Sequence, residues 1–250
     1  MPRLTIRIGN FFFRYRNAAF PIFIIALYAL FPPPSEIFGS KRLELIADGL
    51  ALAISLVGLA TRAAVIGYAY IKRGGKAKRV YAADLVTEGL FGVSRNPLYL
   101  GNLLICVGMF LMHGNPYVLL VGTAVYVFVY VCIVQAEEAY LGEKFGPAYR
   151  AYAADVPRWI PKFSRFREAT EGMEFNFRRV IQKDYSTIAT TLIVLALTEI
   201  YEELADWSVA GDLPALLFLA SCIVLCGLFV LAVKLSKKRR LYASATAPRS

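Results

Sequence analysis

The chain has 250 residues, 58% of them hydrophobic and only 18% charged, with a mean hydropathy of +0.53. A water-soluble domain is nearer half apolar and a quarter charged, so an ordinary soluble globule is excluded. The net charge of +10 does not indicate nucleic acid either, because the basic residues sit in short runs beside apolar blocks, where anionic headgroups attract each by ~1 kcal/mol.

Crossing ~30 Å of hydrocarbon takes about 20 helical residues, and six candidate spans follow along the chain. The first, about Ala18 to Phe31, stops at Pro32-Pro33-Pro34. A signal peptide is the rival reading, but no small-x-small cleavage site follows the apolar run, which favours an uncleaved helix. The second runs from about Leu45 to Ile71, the third from Leu98 to Met112 and the fourth from Val118 to Ala136. His113-Gly114-Asn115-Pro116, rich in helix breakers, makes a tight turn between the last two. The fifth covers about Thr187 to Trp207 and the sixth Leu213 to Val233. The expected fold is therefore an all-α, polytopic membrane bundle of about six transmembrane helices. It divides into an N-terminal segment with the first span (1–44), a membrane core (45–163), an interfacial segment (164–186), and two further spans with a basic tail (187–250).

Charge sets the orientation. The N-terminal segment carries Arg3, Arg7, Arg14 and Arg16, and the second-to-third connection Lys72, Arg73, Lys76, Lys78, Arg79 and Arg95. The segment after the fourth span carries Lys144, Arg150, Arg158, Lys162, Arg165, Arg167, Arg178, Arg179 and Lys183, and the C-terminus Lys234, Lys237, Lys238, Arg239, Arg240 and Arg249. With six spans all of these lie on one face and the other receives only Lys41 and Arg42. Both termini are expected to be cytoplasmic, at a membrane such as the bacterial inner membrane. Phe163, Phe166, Phe175 and Phe177 alternate with basic residues, so part of the segment before the fifth span is expected along the interface. Cys106, Cys132, Cys222 and Cys226 fall inside apolar stretches and read as buried thiols.

Two clusters carry candidate chemistry. Arg95-Asn96-Pro97-Leu98-Tyr99-Leu100-Gly101 leads into the third span. Pro97 suits a first helical turn, the free N–H groups there and Arg95 form an anion-binding end, and Gly101 lets a flat ligand or another helix come close. Glu137-Glu138 ends the fourth span, where adjacent carboxylates are costly unless cations or donors meet them. Because the third and fourth spans fold back on each other, the two clusters are expected to share one pocket.

Together with Leu141, the run from Phe145 to Tyr152, and Val156-Pro157-Arg158-Trp159-Ile160-Pro161, this arrangement resembles the isoprenylcysteine carboxyl methyltransferase and phospholipid methyltransferase family. The family pattern is Arg-His-Pro-x-Tyr-x-Gly, then Glu-Glu-x-x-Leu, Phe-Gly-x-x-Tyr-x-x-Tyr and Val-Pro-x-x-x-Pro. The likeness covers roughly Leu45 to Phe163, and one departure matters: the family's His is Asn96 here, which can donate a hydrogen bond but cannot titrate. The resemblance implies S-adenosylmethionine as cofactor and a membrane lipid or lipidated acceptor as partner. Arg95, Asn96, Pro97, Tyr99, Gly101, Glu137, Glu138 and Tyr149 are then the expected cofactor residues, and Glu138, Tyr152 and Arg158 the catalytic ones. Arg158 doubles as a candidate partner for an acidic headgroup. No residue is assigned to a metal, and the oligomeric state is unread.

A sterol-reductase-like NADPH enzyme shares the Arg-His-Pro motif, but it usually has Arg-Asp where this chain has Glu137-Glu138. A non-catalytic scaffold or small transporter is the other alternative. Beyond the region of likeness, Glu199, Glu202, Glu203 and Asp206 recur at helical spacing and share one face. An Arg62–Glu199 pair inside the bundle is expected. Solvated acids are the alternative there, and a carboxylate metal site the less favoured one.

Overall fold

The computed structural model describes residues 2–34, 36–68, 80, 82, 84–205 and 213–246. The end of the expected second span beyond Tyr68, the basic residues Lys72 to Arg79, Asp206, Trp207 and Arg249 lie outside the described residues. Among the described residues every regular element is helical: α1 (Pro2–Leu30), α2 (Lys41–Tyr68), α3 (Pro97–Met112), α4 (Pro116–Phe145), α5 (Pro147–Asp155), α6 (Phe166–Ala169), α7 (Phe177–Ala205) and α8 (Leu213–Thr246).

Three helices are long and apolar enough to cross a membrane, within Lys41–Tyr68, Pro116–Phe145 and Leu213–Lys238, and α3 is a shorter apolar helix. The expected breaks at Pro32 to Pro34 and at His113 to Pro116 end α1 and separate α3 from α4. Helices run further than the apolar blocks alone suggest. α1 starts at Pro2 and continues through Pro21, α4 extends past Ala136 to Phe145, and α7 begins ten residues before Thr187. Charged residues end a hydrophobic run without ending a helix, because their side chains reach the headgroup region while the backbone bonds continue.

α3 packs on α2, α4 and α7, and α4 also packs on α1. Small residues bring α2 and α3 into close approach, as they do between helices in lipid. A Cβ on Gly101 would lie 2.9 Å from the Gly58 carbonyl oxygen, and one on Gly108 2.6 Å from the Ala51 oxygen. Phe13, Leu27, Phe110, Tyr126, Tyr130 and Ile133 form a buried core among α1, α3 and α4. Ala51, Ile105, Met109, Met112 and Leu195 form a second one among α2, α3 and α7. α8 packs on α7 but exposes Leu217, Phe218, Val224, Leu225 and Leu228, an apolar surface of the kind expected of a membrane span. Cys106 and Cys132 are buried free thiols as expected, whereas Cys222 and Cys226 are half-buried on α8.

The expected Arg62–Glu199 pair does not form. Arg62 instead meets Asp184 of α7 through two bonds, Nε–Oδ2 at 3.0 Å and Nη2–Oδ1 at 2.5 Å, and also donates to Asn102 and to Thr187. The longer α7 is the reason: its first turns pass beside the C-terminal part of α2 and supply a nearer carboxylate. This network ties α7 to α2 and α3 along the wall of the cavity described next.

Candidate active site

The start of α3 is held by the segment that follows α5. The Arg95 amide donates to the Pro157 carbonyl at 2.8 Å and the Lys162 amide to the Val93 carbonyl at 3.0 Å. Ser94 Oγ adds a bond to the Trp159 carbonyl at 3.2 Å, and the Asn96 side-chain amide donates to the Arg158 carbonyl at 3.1 Å. Asn96 therefore acts here as a donor to main chain, a role that needs no titrating group. It precedes α3 without a side-chain cap bond, which leaves the first-turn N–H groups of α3 to other partners. Pro97 occupies the first helical position, as its ring geometry favours.

α4 carries Glu137 and Glu138 to the same place. Glu138 Oε1 lies 3.2 Å from Arg95 Nη1 and accepts from Arg158 Nε at 3.0 Å, while its Oε2 accepts from Arg158 Nη2 at 2.6 Å. Its charge is thus met by two guanidinium groups, one of them bidentate. Glu137 Oε1 accepts from the Tyr99 hydroxyl at 2.7 Å, and Arg16 of α1 donates to that hydroxyl at 3.2 Å. The two adjacent carboxylates accordingly divide the work: Glu138 closes an ion-pair cluster and Glu137 faces a phenol.

Gly146, with φ +51°, turns the chain from α4 into α5, a left-handed geometry that suits glycine. α5 then presents Tyr149 and Tyr152 to the cluster. Burial pushes the Tyr149 phenol up, with the Glu138 charge adding to the effect and Arg95 opposing it. Burial likewise raises Tyr152, whose hydroxyl donates to the Phe91 carbonyl at 2.8 Å. Arg158 is held even more firmly protonated by its hydrogen bond to Glu138.

These groups line one end of a cavity of about 1290 Å³, which continues between the helices past Tyr99, Asn102 and Arg62 to Ile24, Ile105, Met109 and Thr198. Arg95, Asn96, Tyr99, Glu137, Glu138, Tyr149 and Tyr152 all border it. Gly101 turns instead to α2, where a Cβ would meet Arg62 Cγ at 2.8 Å, so its place in the expected cofactor set gives way to helix packing. Pro97 is buried at the head of α3 and shapes the turn. Arg158 stands beside the cavity with its guanidinium bonded to Glu138. Sequence reasoning missed Arg16, Arg62 and Asn102 as lining groups. The one signal for Arg62 was a cation inside an apolar span; Arg16 reads as part of a basic N-terminus until the register of α1 against α4 is known.

Residues 49–148 match the phospholipid methyltransferase family. The match covers two fifths of the chain. The matched stretch holds both halves of the site, Arg95 to Gly101 and Glu137-Glu138. The chain is 35% identical to protein-S-isoprenylcysteine O-methyltransferase B of Arabidopsis thaliana over 34% of its own length and 44% of that protein. It is 25% identical to the cobalt-zinc-cadmium resistance protein CzcN of Cupriavidus metallidurans over 87% of its length and 94% of that protein. It is also 25% identical to the nickel-cobalt-cadmium resistance protein NccN of Alcaligenes xylosoxydans xylosoxydans over 46% of its length and 54% of that protein. The chain thus spans about half the length of two of these relatives and nearly all of the third. No solved structure matches it.

Proposed function

We propose that this protein transfers a methyl group from S-adenosylmethionine to an amphiphilic acceptor, a phospholipid amine or a prenylated cysteine carboxylate, at the cytoplasmic face of a membrane. The observation that carries this reading is the continuity of the cavity. One space of about 1290 Å³ joins the charged end at Arg95, Glu137 and Glu138 to an apolar interior at Ile24, Ile105 and Met109. Ligand pockets commonly measure ~300–1,000 Å³, so this one has room for a cofactor and for the head and part of the tail of a second, lipid-like molecule.

The residues fit the cofactor. The Arg95 Nε is buried and has no hydrogen-bond partner, so it is a donor in place for an α-carboxylate. Glu137 offers an acceptor to an ammonium or a ribose hydroxyl, and Tyr99 and Tyr149 offer ring faces to a cation. When bound, S-adenosylmethionine supplies a methyl group already activated on a sulfonium. The chain's own part is then alignment and exclusion of water, and alignment alone is worth up to ~7–11 kcal/mol. The apolar helices seat the tail, and the acceptor's reacting atom stays at the polar end. A carboxylate acceptor needs no base. For an ammonium acceptor, Glu137 is placed to take the proton, since Glu138 is already engaged by two arginines. The test is saturable binding of labelled S-adenosylmethionine by the detergent-purified protein, with NADPH as the control. Binding of NADPH alone would favour the reductase reading and defeat this one.

The match over nearly the whole chain to a protein named for cobalt, zinc and cadmium resistance supports a second reading, a part in tolerance of such metals. Growth on those metals with and without an intact gene tests it, and the Glu138→Gln variant separates it from methyl transfer.

A further inference from the structure

The end of the bundle opposite the methyltransferase site holds a cluster that methyl transfer does not use. α3 runs ~24 Å from Pro97 to Met112 at 1.5 Å per residue, and beyond it the turn at His113 and Gly114 lies beside Glu202. A Cβ on Gly114 would sit 3.6 Å from Glu202 Oε1. Asp48, in the second turn of α2, and Glu199 and Glu202, near the end of α7, each place a carboxylate oxygen within 4.8 Å of the other two.

Glu202 is the observation that points to a ligand. It is only 7% exposed, and neither of its carboxylate oxygens has a hydrogen-bond partner. Among the described residues, the charged groups acting on it are Asp48, Glu199, Glu44 and Glu203, all of them acids. A buried carboxylate is ordinarily met by a donor or a cation, because loss of hydration is otherwise uncompensated. Lys41 and Arg42, in the first turn of α2, are exposed. Among the described residues the cluster therefore lacks a positive charge of small radius that several oxygens can surround at once.

We propose that Asp48, Glu199 and Glu202 form a binding site for a divalent cation. The spacing suits one. Oxygens bound to a single Mg²⁺ or Ca²⁺ at about 2.0–2.6 Å lie no more than about 5 Å apart, and the three carboxylates meet that limit. An all-oxygen set of this kind favours hard cations such as Mn²⁺, Mg²⁺ or Ca²⁺ over ions that prefer thiolate. With two ligands from α7 and one from α2, the ion joins the start of α2 to the end of α7, at the opposite end from the methyltransferase site. The sequence carried the α7 half of this site as its acidic stripe; Asp48, 151 positions before Glu199, has no visible link to it until the helices are packed.

The site stands apart from the proposed methyl transfer, and its test reads the metal directly. Mn²⁺ is titrated into the full-length protein in detergent and followed by electron paramagnetic resonance, with Mg²⁺, Ca²⁺ and Zn²⁺ as competitors. We expect one Mn²⁺ per chain. Both Glu202→Gln and Asp48→Asn weaken it at least tenfold, Glu138→Gln at the distant site leaves it unchanged, and Mn²⁺ raises the melting temperature of the parent chain but not of Glu202→Gln. Two variants on different helices guard against loss of fold in one. Absence of saturable binding at millimolar Mn²⁺ to folded protein, or equal affinity in the parent and both variants, overturns the site.

Discussion

Replacing Arg62 with Met tests how the membrane core is held together. The guanidinium meets Asp184 with two bonds and also donates to Asn102 and Thr187, and the Asp184 side chain is only 1% exposed. Neutral hydrogen bonds between helices in lipid average about 0.6 kcal/mol in double-mutant cycles. Removing one partner of a buried ion pair costs ~3–5 kcal/mol. The geometry here is bidentate and nearly dry, so Arg62→Met is expected near the upper range. The losses at Asn102 and Thr187 overlap with it rather than add. Replacing both partners, Arg62→Met with Asp184→Leu, removes the carboxylate together with the guanidinium and is expected to recover part of the loss. Unfolding in mixed detergent micelles, measured for the parent, both single variants and the double, gives the coupling directly. A single Arg62→Met variant within about 1 kcal/mol of the parent, or a double variant as unstable as the sum of the singles, refutes the assignment of this pair as the internal tie of α7.

Other contacts in the structure lead to further expected outcomes. Gly108→Ala places a Cβ 2.1 Å from Ser55 Oγ and 2.6 Å from the Ala51 carbonyl oxygen, so it is expected to cost ~1–3 kcal/mol; Ser55→Ala in the same chain should not restore it, because the backbone oxygen remains. Glu138→Gln removes the carboxylate shared by Arg95 and Arg158 and is expected to weaken S-adenosylmethionine binding at least tenfold in equilibrium dialysis. Asn96→His, which can still donate to the Arg158 carbonyl, is expected to stay within about fivefold of the parent, the equivalent of one ordinary hydrogen bond at ~1 kcal/mol. The Tyr149 and Tyr152 phenols are raised above the ordinary 10.0 by burial. The folded protein therefore keeps protons that the unfolded chain loses, and stability present below pH 10 falls as pH rises beyond it. Melting temperatures between pH 9 and 11 should show this slope, and it should flatten in Tyr149→Phe/Tyr152→Phe.

Much of the site was legible because its parts lie close in sequence to helix breaks. Pro97 marks the head of α3, and His113 to Pro116 marks its end, so the hairpin that brings Arg95 opposite Glu138 follows from chain punctuation alone. Asn96 showed that a titrating group was absent, but not that its amide would hold the Arg158 carbonyl. Long-range register was the part that could not be read. Arg62 needed a partner on any reading, yet choosing Asp184 over Glu199 required knowing that α7 starts at Phe177, where Arg178, Arg179 and Lys183 suggested a polar segment instead. Arg16 met Tyr99 for a similar reason: α1 extends through its arginines, and its rotation against α4 depends on Phe13, Phe20 and Tyr126 packing together. Gly101 was read as open to a ligand or to a helix, and only the path of α2 chose the helix.

The proposed methyl transfer within the cavity bounded by Arg95, Glu137 and Glu138 is measured most directly by labelling. Membranes containing the protein are incubated with methyl-labelled S-adenosylmethionine, and the lipid extract and the lipidated-protein fraction are counted separately. Label is expected in one of these fractions, at a rate lowered at least tenfold by Glu138→Gln. Label in neither fraction from folded protein, or equal labelling by the parent and Glu138→Gln, contradicts it.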